Sequence, residues 1–312
     1  MSLLALLACA SRSPNLLVVV LDNVRYDHTS LAGGRDTTPN LAALAARGTT
    51  FDAAFSAAAE NELAPMGWTV AADGGTRIPN YASETFAGSE TGGRPSLFET
   101  VPPALAWIDD HRGVPWLAVV HGGDALLPWS QRGPFYHLYG ASGASARTEQ
   151  IVGSATLLAL LRGPERVVAL TAQEARHISD HYDSALAYGD LWLGVLLAEV
   201  DLDRTVVVVV GNRGEDLLDH PEEAAAIADS TMHVPLVVAG PGFARAGHRA
   251  DSVSTQDVLP TLLFLADPAA PARADVPGLS LLCTSPRDIT GSTRVGGRWR
   301  RKATGEWTMV EE

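Results

Sequence analysis

Asp22, His121 and Asn212 are the polar residues best placed for chemistry, because each stands just past the end of an apolar run: Leu16–Leu21, Leu117–Val120 and Thr205–Val210. In an open parallel α/β sheet, ligands collect in the crevice outside the carboxyl ends of the strands, so residues at run ends converge on one candidate site. Asn23 and Arg25 follow the first run, Gly122-Gly123-Asp124 the second, and Arg213-Gly214-Glu215 the third. His233, ahead of Val234-Pro235, is a further candidate. For His121 and His233 a role in a pocket competes with that of a hydrogen-bonded structural histidine, the plainer reading. Glu215, Asp216, Asp219 and His220 form an acidic cluster that reads as a solvated loop, with cation binding as the alternative.

The elements that must position these residues alternate. The runs above, with Leu236–Ala239, are continuously apolar rather than alternating, as suits strands buried on both faces of a parallel sheet. A helix is expected over Thr38–Ala46, opened by Pro39. A second begins at Thr171, where Glu174 completes a capping-box spacing, and apolar residues recur at Ile178, Tyr182, Leu186, Leu193 and Leu197. A third, capped by Ser254 or Thr255, runs from Val258 to Leu265. The fold class predicted is α/β: a doubly wound, mostly parallel sheet flanked by helices, with a short C-terminal β-hairpin from Thr293–Lys302 and Glu306–Val310 around Ala303-Thr304-Gly305. The Gly/Ser/Thr/Pro-rich stretch from Asp73 to Ser96 lacks periodicity and reads as a long loop. The predicted organisation is an N-terminal leader or stub over 1–13, an α/β domain over 14–285 and a strand appendage over 286–312.

Composition bounds the partners. With 312 residues and 46% hydrophobic content the chain can bury a sizeable core. A formal net charge of −13 argues against nucleic acid or an anionic membrane surface, despite the basic patch from Arg294 to Lys302. Cys9 and Cys283 are the only two cysteines, so no disulfide framework or thiolate metal cluster is implied. Leu6-Leu7-Ala8-Cys9 resembles a bacterial lipoprotein cleavage box; the chain is either anchored through Cys9 or begins with an apolar stub. The first alternative makes it extracytoplasmic, the second leaves it cytoplasmic. No apolar run reaches the ~18–20 residues that a transmembrane helix needs.

The opening stretch, PNLLVVVLDNVRYDHTSLAGGRDTTPNLAALAARGTTF, resembles the start of the sulfatase family of the alkaline phosphatase superfamily. His181-Tyr182-Asp183 leading to Arg204-Thr205-Val206 resembles the family's tyrosine-aspartate helix and the strand after it. Val234-Pro235-Leu236 with Gly240-Pro241-Gly242, Gln256-Asp257-Val258-Leu259-Pro260-Thr261-Leu262, and Gly278-Leu279-Ser280-Leu281-Leu282 continue the likeness in order. The resemblance implies an ester hydrolase in which a formylglycine, serine or threonine attacks sulfur or phosphorus beside a divalent metal. It places Asp22, Asn23 and Asn212 at metal positions and Arg25, His121, Arg213 and His233 about the old cleft.

The chain departs from that pattern where the chemistry lies. With Pro65 on the motif proline, Leu63 takes the nucleophile position and Gly67 the arginine position, and no Cys, Ser or Thr lies between Ala57 and Trp68; Thr69 is the nearest hydroxyl and reads as an ordinary helix residue. The family's acidic strand ends become Asp22-Asn23 and Asn212-Arg213-Gly214. One carboxylate with two amides is a weak site for a hard cation, and the Arg213 guanidinium stays protonated. The implied reading is that Arg213 pairs with Asp22 in the metal's place. In Asp124-Ala125-Leu126-Leu127-Pro128, where the family has Asp-Pro-His-x-Pro, a leucine, Leu126, stands in place of the substrate histidine; the family lysine would fall near Ala224, and neither lysine nor histidine occurs within Asp73–Ser96. The expectation is a catalytically degenerate homologue that binds an anionic small molecule or a protein partner. No cofactor is expected, and calcium or magnesium is the ion if the metal site survives. The alternatives are an active metal-dependent sulfuric or phosphoric ester hydrolase with an atypical site, or a structural partner of an active relative.

Overall fold

Asn15–Leu21 forms strand β1 and is buried from Leu16 onward, as a Leu/Val run with no polar alternation requires. In this computed structural model, which describes residues 13–57, 78–88, 95–129, 133–140, 149–150, 154, 170–217, 228–243, 246–271, 276–283, 287–292 and 298–310, β1 is the centre of a sheet. It pairs in parallel with β4 (Trp116–Gly122) on one side and β5 (Thr205–Gly211) on the other. With β2 (Gly48–Phe55), β3 (Ala82–Phe86), β6 (Leu236–Ala239) and β7 (Gly247–Ser254), the order is β3-β4-β1-β5-β6-β2-β7. Helices α1 (Pro39–Ala45), α2 (Leu97–Asp110) and α3 (Ala172–Ala198) lie on one face, where Leu17, Val19 and Leu21 meet Leu41, Val101 and Ile178. The short α4 (Asp229–Met232) precedes β6. On the opposite face, Leu16, Val18 and Val20 pack on Val258, Leu259 and Leu262 of α5 (Val258–Ala266). The period-2 alternation of β1 thus feeds two cores, and the sheet is doubly wound.

Two elements differ from the sequence expectation, and a helix, α2, forms where none was expected. The run Leu236–Ala239 is a buried strand but lies antiparallel to both neighbours, β5 and β2. The Gly211 N–H bonds to the Pro235 carbonyl at 2.9 Å, so the chain re-enters the sheet at the end where β5 left it instead of crossing over. Within the Asp73–Ser96 stretch, Ala82–Phe86 is not loop but an edge strand parallel to β4. Having only one neighbour, it tolerates a polar Ser-Glu-Thr sequence. Helix α2 holds Pro102 and Pro103 in its interior, a pattern that argues against a helix, yet both rings are exposed and Glu99 reaches back to the Ser96 N–H at 2.9 Å to fix its start.

The C-terminal region forms a separate three-stranded antiparallel sheet, β8 (Ile289–Ser292), β9 (Arg298–Arg301) and β10 (Trp307–Val310), in the order β10-β9-β8. The expected hairpin is present as β9–β10, closed by Gly305 N–H to the Lys302 carbonyl and Lys302 N–H to the Glu306 carbonyl, both 2.9 Å. Strand β8 is the added member.

Candidate functional site

The ladder continues one residue past the central strands, and this fixes the candidate site. The Asp22 N–H donates to the Gly122 carbonyl at 2.8 Å, and the Asn212 N–H donates to the Leu21 carbonyl at 2.9 Å. Both side chains are therefore delivered, buried, to the same point. The Asn212 amide nitrogen donates to the Asp22 carboxylate, while its oxygen accepts the Asn23 N–H at 3.2 Å. These two bonds set the amide's orientation and turn its NH₂ toward Asp22. Asn23 turns the chain with φ +58, a left-handed conformation that asparagine tolerates better than most residues. Its side-chain nitrogen donates to Glu215 at 2.5 Å, and its side-chain oxygen is buried with no hydrogen-bond partner among the described residues.

Behind this group, the Tyr182 hydroxyl of α3 donates to the Asn23 carbonyl at 2.7 Å and accepts the Arg25 N–H at 2.9 Å. Burial raises the Tyr182 hydroxyl well above the ordinary tyrosine range, so it stays a donor. Arg25 is 1% exposed; its guanidinium forks onto Asp27 at 3.0 and 2.7 Å and reaches the Glu215 carbonyl at 3.5 Å. It shapes the loop after β1. Ser56, just past β2, is buried and its hydroxyl donates to the Asn212 carbonyl.

Asp22, Asn23, Arg25 and Asn212 are thus brought into one network, and Glu215 joins them. Read as part of a solvated loop, Glu215 is instead buried, because its carboxylate takes the Asn23 amide; Asp219 and His220 lie outside the described residues. Arg213 is half-buried one residue beyond Asn212. His121 is buried at the end of β4, where its backbone carbonyl accepts from Thr100 at 2.8 Å. His233 is engaged elsewhere: it stacks on Tyr26 at 4.4 Å, packs on Phe55, and its Nε2 lies 2.8 Å from the Asp52 carbonyl. Burial lowers its pKa and favours the neutral ring.

Asp124 follows the second run, and its role rests on partners that the sequence does not indicate. One oxygen accepts the Leu97 N–H at 2.9 Å at the start of α2, while the other is buried without a partner among the described residues. Burial, aided by the nearby charges of Glu99 and Asp22, pushes its carboxyl up to about 7. It lines a cavity of about 20 Å³ with Leu97, Gly122 and Gly189, room for one water. The segment with Leu63, Gly67 and Thr69, together with Cys9 and Ala224, lies outside the described residues.

As arranged, the Asn212 and Asn23 amides occupy the Asp22 and Glu215 carboxylates while the Asn23 side-chain oxygen is left buried without a partner among the described residues, so the set is only partly arranged for the divalent cation that the family resemblance implies. Amide protons rather than lone pairs face both the Asp22 and the Glu215 carboxylates. A hard cation needs converging oxygens. Among the described residues, the one group of three or more His, Cys, Asp or Glu with ligand atoms that close together is elsewhere, on α3 and its surroundings.

The family model described as Sulfatase matches residues 79–268, more than half of the chain. Arylsulfatase K of Gallus gallus is 31% identical over 117 residues, 36% of this chain and 22% of that protein. Arylsulfatase K of Mus musculus is 32% identical over 117 residues, 36% of this chain and 21% of that protein. The chain thus matches about a fifth of the length of these curated relatives. Among solved structures, the phosphonate monoester hydrolase of Agrobacterium radiobacter superposes with a TM-score of 0.60 at 16% identity, covering 96% of this chain and 89% of that one. A protein solved in complex with its substrate, D-glucosamine-2-N,6-O-disulfate, gives 0.68 at 13% identity, covering 96% and 91%. At these identities the structural likeness shows the fold. Its sheet and the extent of the family match agree, and this chain belongs to the sulfatase family.

Proposed function

We propose that this protein is a catalytically degenerate sulfatase-family member whose Asp22 cleft binds a ligand without hydrolysing it. The observation that carries this reading is the Asn212 amide on the Asp22 carboxylate, which puts a donor where a metal would need an acceptor. The lack of any Cys, Ser or Thr between Ala57 and Trp68 supports it, since ester cleavage by this family needs a nucleophile there. In this reading Arg213 supplies the positive charge beside Asp22, and Asn23, Arg25 and Glu215 hold the loop in shape. The first ligands to test are sulfated sugars, the substrate class of a structural neighbour, followed by protein partners. The proposal includes an extracytoplasmic setting with Cys9 as a lipid anchor, and an organisation of the chain into 1–13, 14–285 and 286–312 in which the last segment packs on the domain as part of one folding unit.

The test is metal analysis of the purified protein with a panel of aryl sulfate, phosphate and phosphonate esters. The expected result is no stoichiometric calcium or magnesium lost on Asp22→Ala, and no turnover above background. Turnover abolished by Asp22→Ala would overturn the reading. One observation favours that second, active possibility: Asp124, near Asp22 and titrating at about 7, has a pKa suited to general acid–base work. Turnover that follows a pKa near 7 and disappears in Asp124→Asn would establish it.

A further inference from the structure

Outside the Asp22 cleft, on the N-terminal half of α3, His177 and His181 lie one helical turn apart on a single face. Their Nε2 atoms are 3.0 Å apart. A Glu149 oxygen lies 3.2 Å from the first and 3.6 Å from the second. His137, at the end of the short 3-10 turn Gly133–His137, offers a ring nitrogen within 4.8 Å of ligand atoms of both Glu149 and His181. We propose that Glu149, His177, His181 and His137 form a structural site for a zinc-class divalent ion, distinct from the family metal position at Asp22.

The distances carry the argument. Four ligands held about 2.0–2.2 Å from a tetrahedral ion lie about 3.3–3.5 Å from one another. The triangle of His177, His181 and Glu149, with edges of 3.0, 3.2 and 3.6 Å, already has that size. A single hydrogen bond would use only one of the three edges, whereas an ion at the centre uses all three. Imidazoles with one carboxylate suit zinc and disfavour calcium or magnesium, which take oxygen. The surroundings support the ligands: the Tyr136 hydroxyl donates to the other Glu149 oxygen at 3.3 Å, and its ring packs edge-on against His181. His137, grouped with Glu149 and His181 but not with His177, must close on the ion to complete the set and leave no position open for water. The ion therefore clamps the 133–137 turn and Glu149 onto α3.

The test uses the untagged full chain, stripped with chelator and titrated with Zn²⁺ by calorimetry and with Co²⁺ by visible absorption. The expected result is one equivalent of zinc, a tetrahedral cobalt spectrum and a higher melting temperature in the zinc-loaded protein. His177→Ala is expected to abolish the spectrum. Because changes on α3 could disturb folding, His137→Ala, at an exposed residue, and Glu149→Gln, at a half-buried one, are the second arm. Each should weaken zinc binding by about tenfold or more with far-UV circular dichroism unchanged. Asp22→Asn should leave zinc binding untouched. Lack of stoichiometric zinc, affinity unchanged in both His137→Ala and Glu149→Gln, or loss of zinc in Asp22→Asn would each overturn the proposal.

Discussion

Asn212 meets the Asp22 carboxylate with an amide, and this sets what Asp22 needs from its neighbours. Two buried carboxylates in contact require a cation between them, whereas a carboxylate and an amide satisfy each other directly. Asn212→Asp should therefore lose about 3–5 kcal/mol of stability in chelator, the range for an uncompensated buried charge, and regain part of it in millimolar calcium. Urea denaturation with and without the ion reads both effects. Stability equal to the parent's in chelator would mean that Asp22 and residue 212 do not depend on each other as the hydrogen bond implies. Asp124 gives a second prediction at this scale. Its carboxyl titrates at about 7 in the folded protein against an ordinary 3.8, so between these values the folded state holds more protons than the unfolded chain. Its contribution is complete below about pH 4 and is lost as pH rises through about 7. Asp124→Asn keeps an acceptor for the Leu97 N–H but cannot ionise. Its stability should stay flatter from about pH 4 to 7 than the parent's, and parallel stability profiles would contradict the assignment.

Helix termini show how one element holds another. The Asp190 carboxylate, near the middle of α3, accepts from the backbone N–H of Asn40 at 2.8 Å and of Leu41 at 2.9 Å, and from the Asn40 amide at 2.9 Å. It caps α1 from outside, while Thr38, next to that helix, accepts the Ser30 N–H instead. Asp190→Ala removes a charged acceptor of three bonds and leaves two helix N–H groups buried, a loss of about 3 kcal/mol. Thr171→Ala removes only the local capping-box hydroxyl of α3 and should lose about 1 kcal/mol. Equal losses, measured by thermal denaturation, would argue against the cross-element cap. The contrast also marks what was legible in the sequence. The Thr171–Glu174 box and the 3.6-residue period of α3 are local signals, and the helix runs as they predict. The continuous Val/Leu runs likewise announce central strands, and so placed Asp22, His121 and Asn212 at strand ends. The direction of β6 depends on which sheet edge the chain returns to, and β3 needs only one neighbour, so neither leaves a periodic trace. The burial of Glu215 and the role of Asp124 depend on partners supplied by other elements, Asn23 and Leu97. The His177–His181 spacing was visible, but its meaning depended on Glu149 and His137 arriving from outside the helix.

At the scale of the whole molecule, the question is whether the C-terminal sheet is an appendage or part of the fold. Trp299 of β9 is fully buried in a cluster with Phe55 at the end of β2, Met232 of α4 and Ile289 of β8. Gly291 makes this seat: a side chain there would meet the Trp299 ring at 2.2 Å and the Ala57 carbonyl at 2.3 Å. The Arg301 guanidinium lies 3.9 Å over the Phe55 ring, and the Trp307 indole N–H donates to Asp229 at 2.8 Å. Phe55 also packs on His233, and Ser56 beside it bonds the Asn212 carbonyl, so the small sheet closes over the strand end that leads to the Asp22 cleft. A shared core of this kind joins the two sheets into one cooperative unit. Trp299→Ala should then destabilise the entire protein by about 3–5 kcal/mol. Guanidinium unfolding followed by tryptophan fluorescence and by far-UV circular dichroism should give coincident transitions, both shifted to lower denaturant in the variant. A C-terminal transition that separates from the main one, with the main midpoint unmoved by Trp299→Ala, would instead make residues 286–312 an independent appendage.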